Sequence, residues 1–199
     1  MTLLRRCFHR LGVGRRAFVD CGSNTGAVLL DRIRLGVDDE FYAFEPQPEL
    51  AASEDEVRRQ HPDALLQCFR KAVWVEDGVS NLFLATRWGP NHRGGSTLLA
   101  GHVRNTSEVD YRSPVAVECI DFSRWVHHTF RKIDHVVVKM DIEGAEYAVL
   151  EKMLQDGSID YISELIVEFH WQMNETLSRE RHEALVRALE GRVVLKEWH

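Results

Sequence analysis

The chain alternates short, almost unbroken apolar runs with segments of helical spacing. RAFVD at 16–20, EFYAFE at 40–45 and IDHVVVKMD at 133–141 are typical of buried strands, and residues 25–35 and 146–157 have helical spacing. Strands that alternate with helices indicate βαβ units and a parallel sheet. Apolar runs without polar alternation indicate a sheet that is covered on both faces. We therefore expect an α/β fold with a doubly wound, mostly parallel sheet and helices on both faces.

The remaining apolar patterns extend this alternation. Asp77-Gly78 precedes VSNLFLA, which these turn residues mark as one arm of a hairpin. Further helices are predicted at 48–60 and 178–189, and further strands at 63–73, 161–170 and 192–198.

Length, charge and cysteine spacing limit the class of protein. A chain of 199 residues is expected to form one domain, 1–199. Its 25 basic and 31 acidic residues give a net charge of -6, which disfavours a duplex-binding protein, so no nucleic-acid partner is expected.

No run approaches 18 apolar residues, so no membrane span is expected. The four cysteines contain no CxxC and favour neither a zinc cage nor a disulfide framework, which predicts a cytoplasmic location.

The first sixteen residues contain five arginines and no acid. Transit peptides share this composition. Because the stretch lacks serine and runs directly into the first strand, we favour a lead-in helix over 1–15 with Leu3, Leu4 and Leu11 facing inward.

A glycine turn follows the first strand. FVDCGSNTGAV places Gly22 and Gly26 between a strand and a helix, where a missing Cβ lets a ligand lie against the backbone. The N–H groups that begin the helix then face the ligand, as in nucleotide-binding doubly wound folds. The GxxxG spacing differs from GxGxxG, which disfavours a dinucleotide such as NAD. Asp20, at the strand end, is expected to meet a cationic or hydrogen-bond-donating ligand group.

The second strand ends in Phe-Glu-Pro. Glu45 follows Gly26 by 19 residues, close to the distance at which an acid binds ribose hydroxyls. Ala72 and Val73 can form part of a flat apolar slot for a purine. Turn glycines, a solvated glutamate and core residues would explain each feature alone, but their combination in this strand context favours a nucleoside-type ligand.

An acidic cluster follows the strand at 133–141. Asp141, Glu143 and Glu146 lie in KMDIEGAEYAVL, where the dipole of the following helix can by itself stabilise such acids. Because the carboxyl ends of parallel strands share one sheet edge, Asp141 and Glu143 are also expected beside the glycine turn.

The next strand ends in Glu-Phe-His. Glu168 and His170 differ by two positions and therefore share one face of the strand. His170 can serve as a general base because histidine titrates near neutral pH, or it can only support other catalytic groups. Asp141, Glu168 and His170 can also hold a divalent metal, since oxygen and imidazole ligands suit Mg, Mn or Fe.

The segment 86–113 is rich in Gly, Asn and Ser and is too long for a simple connection. Such loops are usually functional lids or partly disordered. We expect an acceptor-binding loop whose side chains contact a polyhydroxylated or anionic acceptor, with solvated loop residues as the alternative. The candidates are Arg87, Asn91, His92, Arg93 and Ser96.

These motifs in this order resemble the class I S-adenosylmethionine-dependent methyltransferases, and more narrowly the FkbM family. The resemblance covers about 155 residues, from 18 to 170, and the pairing of FEPQP with DIEGAE is its most specific part. The matching stretches are FVDCGSNTG (18–26), FEPQP (44–48), KAVWVEDG (71–78), GGSTLL (94–99), VAVECIDF (115–122), VVVKMDIEGAEYAVLEKM (136–153) and LIVEFH (165–170).

The resemblance implies a Rossmann-like class I methyltransferase fold, S-adenosyl-L-methionine as cofactor, and O-methylation of a sugar or natural-product hydroxyl. Glu45 would hold the cofactor's ribose, with Ala72 and Val73 beside it. Asp141 would lie at both the cofactor and the acceptor, and Glu168 on the acceptor side. The methionine part would be wrapped by Asp20, Gly22, Ser23, Asn24 and Gly26. The catalytic residues would be Asp141, Glu143 and His170.

Other functions remain open at the level of sequence. The chain can be a non-catalytic nucleoside-binding module of a larger glycan-assembly protein, or an RNA methyltransferase, although the net charge and the lack of an aromatic-basic stripe disfavour the latter. The sequence leaves the acceptor, the metal and the oligomeric state undetermined.

Overall fold

The computed structural model describes residues 14–86, 94–100, 109–173 and 177–198. The strands in these ranges are β1 (Arg16–Cys21), β2 (Glu40–Phe44), β3 (Leu66–Phe69), β4 (Ala72–Trp74), β5 (Gly78–Ala85), β6 (Val109–Asp121), β7 (His135–Met140), β8 (Glu164–Val167) and β9 (Val194–Glu197). The α-helices are α1 (Ala27–Leu35), α2 (Ala51–Gln60), α3 (Phe122–Thr129), α4 (Glu146–Asp156) and α5 (Arg179–Glu190).

Six strands form the central sheet in the order β3-β2-β1-β7-β8-β9, and every neighbouring pair is parallel. Alternate residues of each strand point to opposite faces. Val19 packs on one face in the core that includes helices α3, α4 and α5, whereas Phe18 packs on the other face with Leu29 and Ile33 of α1. This confirms the expected Rossmann-like α/β fold, with a doubly wound parallel sheet and helices on both faces.

A second sheet of three strands, β4-β6-β5, lies beside the central one. β5 and β6 pair antiparallel, and Ala85 pairs with Val109. The strand expected after Asp77-Gly78 is present as β5, but the hairpin that these turn residues predicted is wrong, because β6 lies between β4 and β5. The segment 63–73, which was predicted to hold a third strand, does hold β3 but also the start of β4. Its first part, β3, is the edge of the central sheet, and after Arg70-Lys71 the chain enters the second sheet as β4.

Three other predictions change at their boundaries. The predicted loop 86–113 ends earlier, because β6 already begins at Val109. The strand predicted at 161–170 is limited to Glu164–Val167, so His170 lies beyond it. The predicted lead-in helix falls mainly on 1–13, outside the described residues, and Gly14 and Arg15 are not helical.

Helix α3 was not predicted. Its sequence, FSRWVHHT, is rich in residues of weak helix propensity. The signal that could have revealed it is Asp121, whose side chain caps the helix by accepting a hydrogen bond from the backbone N–H of Arg124. In the described ranges, none of the helices has the length and apolar character that a bilayer crossing requires.

Candidate active site

The order of strands in the central sheet reverses between β1 and β7, because β1 leads to β2 on one side while β7 and β8 lie on the other. In open α/β sheets, ligands bind at the carboxyl ends of the strands beside this reversal. Here the backbone N–H of Asp141, after β7, donates to the carbonyl oxygen of Cys21, at the end of β1, at 3.1 Å. A Cβ at Gly22 would collide with the carbonyl oxygen of Asp141. Glycine is therefore required where the two strand ends meet.

The glycine turn has the geometry that its sequence predicted. Gly22 and Gly26 have φ values of 78° and 75°, and Asn24 is also left-handed at 47°. Gly26 is the N-cap of α1. The buried Oγ of Ser23 and Oδ1 of Asn24 have no hydrogen-bond partner among the described residues. Two orphaned acceptors in a turn of this kind leave hydrogen-bonding capacity for a ligand.

Glu45 is held by the backbone on both sides of the turn. One carboxylate oxygen accepts from the N–H of Asn24 at 3.0 Å and the other from the N–H of Gln47 at 2.9 Å. Burial raises the pKa of Glu45 to about 6, although these two hydrogen bonds oppose the shift. Each oxygen of a carboxylate can accept more than one hydrogen bond, so the side chain can still bind a ligand hydroxyl.

A pocket opens between these elements, with a polar and an apolar wall. Of the predicted cofactor residues, it brings together Gly22, Asn24, Glu45, Ala72, Val73 and Asp141. Its apolar wall also includes Leu82, Leu98, Ile142 and Ala145, and its polar wall Gln47, Ser96 and Glu143. Asp20, Ser23, Gly26, Glu168 and His170 are not among its lining residues.

Residues 94–97, which we call the strap, cross one side of this pocket. Thr97 pairs with Phe83 of β5 through two backbone hydrogen bonds of 2.9 and 3.0 Å. Its hydroxyl donates to the carbonyl oxygen of Glu143 at 2.7 Å, and Ser96 Oγ accepts from the N–H of Ala85 at 3.1 Å. Of the predicted acceptor residues in this loop, Ser96 therefore lines the pocket. The other four, Arg87, Asn91, His92 and Arg93, lie outside the described residues.

A cluster of acids surrounds His170 on the other side of Asp141. Glu146 is fully buried and accepts from the N–H groups of Ile142 and Gly144 at 2.9 and 2.8 Å. It also accepts from Nδ1 of His170 at 3.0 Å. Nε2 of His170 faces three further carboxylates, at 3.3 Å from Glu143, 3.8 Å from Glu168 and 3.9 Å from Asp141.

The protonation states in this cluster depend on its excess of negative charge. Burial opposes a charged His170, but the hydrogen bond and charge of Glu146 and the charges of Glu143 and Asp141 raise its pKa to about 10. Burial raises the pKa of Glu143 to about 7, and it also raises that of Glu168. In the absence of a metal, His170 is therefore protonated near neutral pH.

The residues predicted to hold a metal have suitable spacing. One donor atom from each of Asp141, Glu168 and His170 lies within 4.8 Å of the other two. Two carboxylates and an imidazole form a donor set that Mn²⁺ or Fe²⁺ accepts, and Mg²⁺ accepts its oxygens. The hydrogen bond to Glu146 fixes the orientation of the ring and directs Nε2 toward the carboxylates. The residues present therefore fit a divalent cation.

Lys139 is the main site residue that sequence reasoning missed. Its side chain is 5% exposed, and its Nζ lies 3.4 Å from carboxylate oxygens of both Asp20 and Asp141. Burial opposes its charge, but these two carboxylates raise its pKa. The signal was present in the sequence, because a lysine inside an apolar strand such as HVVVKM requires a charged or hydrogen-bonding partner nearby.

The fold and the site define a class of protein, an α/β protein with a ligand pocket at the reversal point of a parallel sheet. The family model described as the methyltransferase FkbM domain matches residues 20–192. The chain therefore belongs to the FkbM methyltransferase family, as its motifs suggested.

The search of solved structures found similarity to the crystal structure of methyltransferase FkbM from Methylobacillus flagellatus KT. That match has 14% sequence identity and a TM-score of 0.42, and it covers 74% of this chain. The matched region makes up 32% of the length of that chain. No curated protein matches the sequence.

Proposed function

We propose that this methyltransferase binds S-adenosyl-L-methionine in the pocket at the ends of β1 and β7 and methylates a hydroxyl oxygen of a sugar or natural product. The observation that carries the proposal is the composition of the pocket. Polar groups from Asn24 and Glu45 line it together with the apolar residues Ala72 and Val73, at the point where doubly wound sheets bind nucleotides.

The residues of the pocket fit the parts of this cofactor. Glu45 is suited to the ribose diol, because its oxygens are fixed by backbone N–H groups and retain free lone pairs. The apolar surface of Ala72 and Val73 is suited to the adenine ring. The orphaned Oδ1 of Asn24, a residue that lines the pocket, is suited to the ammonium of the methionine part. When bound, the cofactor supplies an electrophilic methyl group on a sulfonium.

Asp141 is suited to accept the proton of the acceptor hydroxyl. It lines the pocket and also faces His170, so it lies between the cofactor and acceptor sides. A positioned base of this kind typically contributes 10²–10⁴-fold to a rate, a range of about 3–5 kcal/mol. His170 is protonated in the metal-free protein and then cannot accept a proton.

A divalent cation is the second candidate for acidifying the hydroxyl. Asp141, Glu168 and His170 would hold it, and the fixed direction of Nε2 supports this alternative. A bound cation lowers the pKa of an oxygen that coordinates it. Activity that survives EDTA treatment supports Asp141 as the base, whereas activity that EDTA abolishes and Mg²⁺ or Mn²⁺ restores supports the cation.

The proposed acceptor is a small polyhydroxylated molecule. The carboxylates of Asp141 and Glu143, which line the pocket, and that of Glu168 beside His170 can accept hydrogen bonds from several hydroxyls, and Ser96 lines the same pocket.

Two measurements test the proposed function. Titration of S-adenosylmethionine into the protein should release or absorb heat, and the bound cofactor should raise the melting temperature. If neither heat nor a change in melting temperature is observed, the cofactor assignment is wrong. A methyl-transfer assay over a panel of sugars and hydroxylated natural products, read by mass spectrometry, should give a product that is heavier than its acceptor by the mass of one CH₂ group. Cofactor binding without transfer to any acceptor would instead support a non-catalytic nucleoside-binding module.

A further inference from the structure

Lys139 is a buried cation in the middle of the site. It lies in β7 between apolar neighbours, and 4% of the residue is exposed. Removing an ammonium from water costs several kcal/mol unless charged or hydrogen-bonding partners replace the water. The partners of this side chain therefore indicate what the cation does.

Three oxygens lie around the ammonium of Lys139, and the ammonium donates hydrogen bonds to two of them. Nζ donates to the carbonyl oxygen of Gly22 at 3.0 Å, and it lies 3.4 Å from Oδ1 of Asp20 and 3.4 Å from Oδ2 of Asp141. Lys139 is not among the residues that line the pocket. Its donors are thus directed at the ends of β1 and β7 and away from the ligand space.

The two oxygens of Asp141 have different neighbours. Oδ2 is the oxygen near Lys139, whereas Oδ1 is the oxygen that approaches Nε2 of His170. Holding one oxygen fixes the rotation of the carboxylate and presents the other oxygen to the acceptor side. The carboxylate of Asp141 is 26% exposed, so it needs such a constraint to keep one orientation.

Asp20, unlike Asp141, is inaccessible to solvent. It is fully buried, its carboxylate makes no hydrogen bond within the described residues, and Lys139 is its ion-pair partner there. Two carboxylates and one ammonium carry one net negative charge. Because Asp20 is inaccessible, Asp141 is the carboxylate of this trio that a substrate can reach.

We propose that Lys139 is a positioning residue that fixes the carboxylate of Asp141 for methyl transfer, with Asp20 as the buried counter-charge that holds Lys139 in place. This inference rests on the proposed function, in which Asp141 receives the proton or binds the cation. It predicts that Lys139 affects turnover through Asp141 and has little effect on cofactor affinity.

The test is a double-mutant cycle on turnover with Lys139→Met and Asp141→Asn. Lys139→Met should lower kcat by about 10- to 100-fold, which is the usual loss when a side chain that orients a metal-binding residue is removed. The Kd of S-adenosylmethionine should change less than about threefold. In the Asp141→Asn background, Lys139→Met should cause no further loss, because coupled residues are not additive. If the fold losses of the two single variants multiplied in the double variant, the two residues would act independently and the proposal would be wrong. An unchanged kcat in Lys139→Met would also overturn it.

Lys152→Met is the matched control. Lys152 also bridges a carbonyl and a carboxylate, those of Val75 and Asp121, at 2.6 and 2.7 Å, but unlike Gly22 and Asp141 neither of these partners lines the pocket. Its replacement should affect stability and leave kcat within about twofold of the original value. If Lys152→Met lowered kcat as much as Lys139→Met, the loss would reflect a general structural cost, and the proposal would be wrong.

A second pair of variants covers the case in which Lys139→Met does not fold. Asp20→Asn/Lys139→Met removes both charges of the buried pair, a change that is often neutral for stability, and Asp20→Asn alone is its reference. Crystal structures of the two should show the Asp141 carboxylate displaced only when Lys139 is absent. An identical Asp141 in both would overturn the proposal. This comparison does not depend on enzymatic activity. A chain that transfers no methyl group would therefore refute the proposed function, while the crystal structures would still test whether Lys139 positions Asp141.

Discussion

Two buried charge clusters lie at opposite ends of the same strands, and they are built differently. At the amino end, Arg15 donates to both oxygens of Asp134, at 3.0, 3.2 and 2.8 Å, and to Glu40 at 3.1 Å. Arg131 adds two further hydrogen bonds to Asp134, and the hydroxyl of Tyr42 donates to Glu40 at 2.6 Å. Every charge in this cluster has several partners.

At the carboxyl end, the charges are incompletely paired. Asp20 has Lys139 at 3.4 Å and no hydrogen bond within the described ranges. Around His170, four carboxylates face one imidazole.

The pKa values express this difference. Burial raises the pKa of Asp20 to about 6 and that of Glu143 to about 7. Burial would also raise the pKa of Asp134, but hydrogen bonds from Arg15 and Arg131 lower it to about 2. The amino-end cluster thus stabilises the fold, whereas the carboxyl-end cluster retains negative charge that a cofactor, acceptor or cation can use.

Arg15→Met should have the largest effect on stability. It leaves Asp134 and Glu40 buried without their shared cation, and the loss of one partner from a buried pair typically costs about 3–5 kcal/mol. Urea unfolding measures the change. Arg192→Met, which removes an exposed partner of Asp160, is the control and should cost less than about 1 kcal/mol. Equal losses in the two variants would show that the amino-end cluster has no special structural role.

Asp141→Asn should have the largest effect on chemistry. Because the variant cannot accept a proton, turnover should fall by about 100-fold or more, while urea unfolding shows little change or a small gain in stability. Glu118→Gln, on the exposed side of β6, should retain turnover. A loss of stability in Asp141→Asn as large as that in Arg15→Met would contradict the division between the two clusters.

The stability of the ligand-free protein should fall as the pH rises from 5 to 8. Asp20, Glu45, Glu143 and His170 have pKa values of about 6, 6, 7 and 10 in the folded protein, against 3.8, 4.5, 4.5 and 6.5 as ordinary values. The folded chain therefore binds more protons than the unfolded chain across this range, and its free energy of unfolding should decrease as the pH rises.

Thermal unfolding at several pH values measures this dependence. Glu143→Gln removes one of the raised carboxyl groups, so its stability should decline less steeply between pH 5 and 8 than that of the original protein. The lowered pKa of Asp134 acts in the opposite direction, but its contribution is lost only when the pH falls from about 4 toward 2. Stability that increased steadily from pH 5 to 8 would show that the carboxyl-end charges are better paired than the structure indicates.

Glu45→Gln should have the smallest effect among these variants, and the effect should be on cofactor affinity. The variant keeps one carbonyl oxygen for the turn but loses a charged acceptor for the ribose, so the affinity for S-adenosylmethionine should weaken about tenfold. Calorimetric titration measures it, with the exposed Glu56→Gln on α2 as the control. Unchanged affinity would remove Glu45 from the cofactor site while leaving Asp141 unaffected.

The sequence predicted the parallel sheet and its ligand edge because both depend on local patterns. Strand runs and the glycine turn of 22–26 are contiguous in sequence, and parallel pairing places strand ends together. The division of 63–73 between two sheets was not predictable, because the apolar pattern is the same on either side of Arg70-Lys71. The surroundings of His170 were also not predictable from the sequence, because Glu146, which contacts it, lies 24 residues away in α4.

The strap has a consequence for the wall of the pocket. Thr97 joins the second sheet, through Phe83, to the loop that carries Glu143. Because of this crosslink, the position of Glu143 in the pocket wall depends on the position of β5 in the second sheet.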